Sequence, residues 1–176
     1  MKKLLSLTGI VLLSAVTAFA GDGKSFKEKV VIVDECKFRD TEFQIDAFYT
    51  GIIGSHGSRL GTGSGGGIGL NFFFAKYFGI GWEGSVYSNR GTAGWMPLNG
   101  NFFIRYPICS LNLAPYIMVG GGAEFEKGHR SLGYGNVGGG FEYRFTDNIG
   151  LFADARYYYG GSGNVANIRS GLRFAF

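Results

Sequence analysis

Asn136-Val137-Gly138-Gly139-Gly140-Phe141-Glu142-Tyr143-Arg144-Phe145 is the run on which the reading of the fold turns. From Val137 onward, every second residue (Val137, Gly139, Phe141, Tyr143, Phe145) is aliphatic, aromatic or glycine. The residues between are Asn136, Gly138, Gly140, Glu142 and Arg144, so both charges fall in one phase. Successive side chains of a strand point to opposite faces, which makes one face of this strand apolar and the other polar. A strand crossing a bilayer within a barrel needs this pattern over about 10 residues, with its polar face toward the lumen.

The pattern continues toward the C-terminus. Residues 149–158 set Ile149, Leu151, Ala153, Ala155 and Tyr157 against Gly150, Phe152, Asp154, Arg156 and Tyr158. Residues 167–176 set Ile168, Leu172, Phe174 and Phe176 against Asn167, Arg169, Gly171 and Arg173, with Ser170 alone as a polar residue in the apolar phase. Five further segments lie upstream, at 42–51, 66–74, 78–88, 99–106 and 114–125. Their polar phase holds Gln44, Asp46, Asn71, Glu83, Arg105 and Glu124, while Phe48 and Phe73 interrupt it. Pro115 falls at a strand start, where a missing N–H is tolerated. Strands in hydrocarbon must form a closed barrel, because an open edge would leave backbone polar groups unpaired. The expected fold is all-β: an eight-stranded antiparallel up-and-down transmembrane barrel over residues 41–176.

The rest of the chain agrees with a membrane barrel. Glycine supplies 32 of 176 residues and aromatics 16%, while charged residues make up 17% against about 25% in soluble domains. No segment after residue 20 approaches the ~20 apolar residues of a spanning helix. The formal charge of +4, part of it on Lys2 and Lys3, is too small to point to nucleic acid as a partner. Lys2-Lys3, an apolar run from Leu4 and the exit Ala18-Phe19-Ala20 have the three parts of a secretory signal peptide. A membrane anchor would be longer and less diluted than this run, which contains Ser6, Thr8, Ser14 and Thr17. Residues 1–20 are therefore expected to be a signal peptide. Residues 21–40 would form a periplasmic N-terminal segment, polar apart from Val30-Val31-Ile32-Val33.

The connections predict an orientation. Residues 75–77 and 146–148 are short and follow even-numbered strands. Residues 52–65, 89–98 and 126–133 are longer and follow odd-numbered ones. Short periplasmic turns and long outer loops would place both chain ends in the periplasm. Phe74, Phe78, Tyr106, Phe145 and Phe176 would then form one aromatic girdle, and Tyr49, Phe125, Tyr157 and Tyr159 the other.

At this point the residues resemble a known group. The stretch from Thr146-Asp147-Asn148-Ile149 through Asp154-Ala155-Arg156-Tyr157-Tyr158-Tyr159 is similar to the turn and seventh strand of OmpA-type and opacity-type barrels. Pro115-Tyr116-Ile117-Met118-Val119-Gly120-Gly121-Gly122-Ala123 resembles their fifth strand. The last strand, with Phe174 and Phe176, resembles the C-terminal signal read by the outer-membrane insertion machinery. The resemblance implies a bacterial outer-membrane, porin-like barrel of a Gram-negative cell envelope, without the peptidoglycan-binding domain of full-length OmpA. It implies diverse roles and no single activity.

The inward phase collects Glu42, Asp46, Glu83, Glu124, Glu142 and Asp154 with Arg105, Arg144, Arg156, Arg169 and Arg173. An eight-stranded barrel has room for side chains and little else, so these charges are expected to pair and fill the lumen. The alternative is a narrow, gated conducting path. Cys36 and Cys109 both fall at the periplasmic end of this topology, and exported proteins permit disulfides. Cys36 lies six residues before Glu42, a reach of about 20 Å, enough for a Cys36–Cys109 bond that pins the N-terminal segment under the barrel. The alternative is two free thiols.

Chemistry finds little support. Gly61-Thr62-Gly63-Ser64-Gly65-Gly66 and Gly133-Tyr134-Gly135-Asn136-Val137-Gly138 match the dinucleotide fingerprint, but neither lies between a strand and a helix. A hydrolase triad from His56 or His129 with Ser55, Ser58 or Ser131 matches no enzyme spacing, and two separated histidines do not make a metal site. No enzyme activity, cofactor or metal is expected. The expected function is a structural or surface-interaction role, in envelope integrity or adhesion. The alternatives are a small porin-like channel for ions or solutes and, third, a lipid-modifying hydrolase. Partners would be outer-membrane lipid, the insertion machinery, and an extracellular ligand at the loops around His56, Trp95 and His129. In those loops Trp95-Met96-Pro97-Leu98 offers an apolar contact, or else packs on the barrel rim.

Overall fold

In a computed structural model, residues 36–55, 61–89, 92–126, 130–161 and 163–176 are described. The expected signal peptide, most of the segment 21–40, His56, Ser58 and His129 lie outside them. The strands are β1 (Glu42–Gly54), β2 (Gly63–Ala75), β3 (Phe78–Asn89), β4 (Thr92–Arg105), β5 (Leu113–Glu126), β6 (Leu132–Arg144), β7 (Ile149–Gly160) and β8 (Val165–Ala175). Each pairs antiparallel with its sequence neighbours, and β1 pairs with β8, which closes the barrel. Phe43 and Phe176 extend the seam by exchanging backbone hydrogen bonds at 3.2 and 2.8 Å. An even number of strands leaves the start of β1 and the end of β8 at the same mouth. We call this the seam mouth.

The alternation becomes a wall with two chemistries. Ile68, Trp82, Ile117, Val119, Val137 and Ile168 point outward and are at least half exposed. The intervening positions are buried, among them Asp46, Asn71, Arg105, Glu142, Arg144, Arg156, Arg169 and Arg173. The girdle rings Tyr49, Phe74, Phe78, Tyr106, Phe125, Phe145, Tyr157, Tyr159 and Phe176 are all outward and exposed. Grooves in the outer wall, such as that lined by Ile68, Leu70, Trp82 and Leu98, are open and apolar. Phe48 and Phe73 do not break the pattern. They stay in phase and turn into the lumen, where both are buried.

Several boundaries differ from the sequence reading. Residues 92–98, expected in an outer loop, belong to β4, and only residues 90 and 91 separate β3 from β4. Trp95 is therefore not part of a loop patch: it is buried in the lumen, while Met96 and Leu98 face outward. Pro97 carries no N–H, and the β3–β4 ladder skips it between Gly84↔Leu98 and Tyr87↔Trp95, while pairing with Glu124 of β5 continues. The other long loops also shrink, to 55–62 and 127–131, because β1, β2, β5 and β6 run further than their charges do. The regular alternation of short and long connections is lost after β3. The glycine runs expected partly in loops lie mostly within β2 and β6. In β6, a Cβ on Gly138 would stand 2.8 Å from Cγ of Arg156, so its absence makes room for that stem across the lumen.

Candidate functional site

The lumen is where the polar residues converge, and they do so in two balanced groups. The first lies toward the seam mouth. Arg173 on β8 donates from Nε and Nη2 to the two oxygens of Asp46 on β1, at 2.7 and 2.6 Å, and from Nη1 to Glu142 on β6 at 2.8 Å. Arg144 donates to Glu142 and, at 2.6 Å, to Glu42. Arg105 on β4 donates to the same oxygen of Glu42 at 2.9 Å. Three carboxylates thus meet three guanidiniums. Asn71 donates to Asp46 at 2.8 Å, and Gln44 donates to Glu42 at 2.5 Å.

The second group lies deeper. Arg169 grips Asp154 with two bonds, at 2.8 and 2.6 Å, and reaches Glu83 at 2.6 Å. Arg156 bonds Glu83 at 2.5 Å and Asp154 at 3.2 Å. Tyr116 donates to Asp154 at 2.9 Å, and Asn99 to Glu83 at 3.0 Å. The four charged residues stand on β3, β7 and β8 and span the interior. Glu124, expected in the same network, lies nearer the other mouth, where it accepts the indole N–H of Trp95 at 2.9 Å.

Rings complete the packing. The guanidinium of Arg105 sits 3.8 Å from the centroid of Phe73, that of Arg169 4.5 Å from Phe48, and that of Arg173 4.7 Å from Phe152. Aromatic faces attract cations that have lost their water, so phenylalanines in a polar phase serve the charges beside them. Toward the other mouth Tyr87, Trp95, Tyr134 and Tyr158 pack with Ile52 and Val165 into one buried cluster. Tyr87 and Trp95 are 4.8 Å apart by centroids, and Tyr134 and Tyr158 5.4 Å. Thr50, Asn167 and the Tyr87 hydroxyl share hydrogen bonds beside them.

The seam mouth is covered as well. Cys36 and Cys109 form a disulfide, with Cα atoms 4.8 Å apart, and Cys109 begins the short 3₁₀ turn Cys109–Leu111 between β4 and β5. Phe38, just beyond Cys36, is 2% exposed and lies over Arg105 and Arg144, whose guanidiniums are 5.4 and 5.2 Å from its centroid. Sequence reasoning missed Phe38, because no alternation extends to it. It also left Tyr116 and Asn99 without roles, although the inward phase of their strands marked them, and it placed Trp95 in an outer loop and Tyr134 outside any expected strand. The serines considered for a triad have ordinary surroundings: Ser55 Oγ donates to the Asn164 carbonyl at 2.9 Å, and Ser131 is exposed. Among the described residues, no group of three His, Cys, Asp or Glu side chains is arranged to hold a metal.

No protein-family model and no curated protein matches the sequence. Solved structures do match by fold. The N-terminal β-barrel domain of Pseudomonas aeruginosa OprF aligns over 77% of this chain and 97% of its own, with a TM-score of 0.60 and 17% identity. Ail, the attachment invasion locus protein of Yersinia pestis, in complex with the heparin analogue sucrose octasulfate, aligns over 78% of this chain and 100% of its own, with a TM-score of 0.56 and 13% identity. Neisserial surface protein A aligns over 78% and 98%, with a TM-score of 0.54 and 16% identity. The fold of this chain is that of the eight-stranded outer-membrane barrels.

Proposed function

We propose that the chain is an exported outer-membrane barrel with a sealed lumen, acting in envelope integrity or surface contact and not in transport. The carrying observation is the filled interior. Arg105, Arg144 and Arg173 are at most 2% exposed, Asp154, Arg156 and Arg169 at most 4%, and Tyr87 and Trp95 at most 5%. Water that reaches none of these levels has no path through. A continuous apolar outer wall supports the lipid setting, since a soluble monomer rarely exposes so large an apolar surface. The fold supports the outer membrane as its location; in the proposed orientation the seam mouth faces the periplasm and the insertion machinery reads Phe174 and Phe176.

Among barrels of this fold, the Yersinia protein is known in complex with a heparin analogue. A surface role of that general kind would fall here to the connections between β1 and β2 and between β5 and β6, residues 55–62 and 127–131. The reading is tested by inserting pure protein into planar bilayers. Currents near the bare-membrane level are expected. Stable, long-lived open channels would replace this reading with that of a small porin. Exchanging residues 55–62 for a short turn is expected to change cell adhesion and leave membrane insertion intact.

A further inference from the structure

Residues 36–40 lead into β1 across the seam mouth, and they are fastened there at separate points on the rim. Cys36 is bonded to Cys109 on the β4–β5 connection. Lys37 Nζ donates to the Phe145 carbonyl on the β6–β7 connection at 2.9 Å. The Arg39 carbonyl accepts from Arg105 Nη2 at 3.2 Å. Between these points the Phe38 ring enters the mouth and covers the outer side of Arg105 and Arg144, while Phe73 backs Arg105 from within. None of the five residues belongs to a strand. Only one fastening is covalent, and the Lys37 bond is exposed to solvent. Cys36 and Cys109 are half-buried, not sealed in.

We propose that residues 36–40 form a strap that the Cys36–Cys109 bond locks over the seam mouth, with Phe38 as its stopper, and that a dithiol reductant releases it. A thiolate of the reductant attacks one sulfur of the bond, and the other leaves as a thiolate and takes up a proton. The reductant's second thiol then displaces the first cysteine from the mixed disulfide. Two electrons and two protons pass to Cys36 and Cys109, and the reductant becomes a cyclic disulfide. With the bond closed, Phe38 is held beside its seat. With the bond cut, it must hold its place by ring contacts alone, against the hydration that Arg105 and Arg144 regain when it leaves. The released mouth presents Arg105 and Arg144 above Glu42 and Glu142. What release does to permeability rests on the sealed-lumen reading; the strap itself does not.

Trypsin reads the strap directly, because Lys37 and Arg39 are both cleavage points within it. A protease needs its target extended and free, so cleavage follows local opening. The oxidised, folded protein in detergent micelles is expected to resist cutting after Lys37 and Arg39. Adding dithiothreitol after folding should raise the rate of both cuts by about tenfold or more while the barrel from Glu42 onward stays folded. Cys36→Ser should be cut at the reduced rate without reductant. Phe38→Ala should be cut faster than the parent even with the bond closed. Equal cutting before and after reduction, with both thiols shown free by mass, would overturn the proposal, as would a Phe38→Ala protein as resistant as the parent. Conductance is measured separately in bilayers, so failure of the sealed-lumen reading and failure of the strap are distinguishable.

Discussion

Asp154 offers the sharpest test of the lumen, because its carboxylate is engaged on every side. It takes two bonds from Arg169 and one each from Arg156 and Tyr116, and its side chain is fully buried. Asp154→Leu leaves Glu83 as the one carboxylate of its group, facing both Arg156 and Arg169. Two unit charges about 4 Å apart interact by about 4 kcal/mol at an effective dielectric constant near 20. Removing one partner of a buried pair costs about 3–5 kcal/mol in measured cases, because the other charge is left desolvated. Asp154→Leu should therefore destabilise the barrel by about 3–5 kcal/mol, and Arg169→Leu by a similar amount. The double variant keeps the Arg156–Glu83 pair at 2.5 Å and restores neutrality. It should fall short of the summed single costs by about 2–3 kcal/mol. Equilibrium urea unfolding in lipid vesicles measures all three, with Trp95 reporting from the lumen and Trp82 from the outer wall. A single-variant cost below about 1 kcal/mol, or additivity within about 0.5 kcal/mol, would refute a dry, coupled lumen.

Other expectations follow from the same structure. Val119→Arg puts a charge on the outer wall near the middle of β5 and should cost about 2–4 kcal/mol in vesicles, with Val119→Leu near neutral as the control. Gly79→Val brings a Cβ within 2.8 Å of the Phe73 ring, and the overpacking should cost about 1–3 kcal/mol by urea unfolding. Cys36→Ser removes a link between residues separated by 73 positions and should lower stability by about 2–4 kcal/mol relative to the oxidised parent.

The strands were legible because their signal is local. Period two with all charges in one phase survives any arrangement of neighbours, and it located every strand but β4 within about four residues at each end. Boundaries failed where the chain is chemically neutral. Thr92, Ala93 and Gly94 carry no polarity contrast, and Pro97 reads as a loop signal, yet a barrel wall absorbs one skipped ladder bond. Phe48 and Phe73 looked like errors because polarity was weighed above phase. Their phase was correct, and the reason for a ring there lies on Arg169 and Arg105, which no local window contains. The pairing of charges was illegible for the same reason. Arg105 meets Glu42 across three strand boundaries, at a distance set by barrel tilt and radius.

Those long-range pairs explain more about specificity than about stability. A buried ion pair is often no better than well-packed apolar residues of the same volume, so filling the lumen with charge needs another reason. Register supplies one. A slip of one residue in β6 would turn Glu142 and Arg144 into lipid and Phe141 and Tyr143 into the lumen, which alternation alone forbids. A slip of two residues keeps every face correct, and alternation is blind to it. The ion pairs are not. Asp46 stands directly opposite Arg173 across the β1–β8 seam, and Asp154 opposite Arg169 across β7–β8. A two-residue slip at either place would part a carboxylate from its guanidinium inside a medium that offers neither any water. Apolar packing would leave such slipped closures nearly degenerate, whereas the charges select one, and they do so at β8, the strand that closes the barrel against β1.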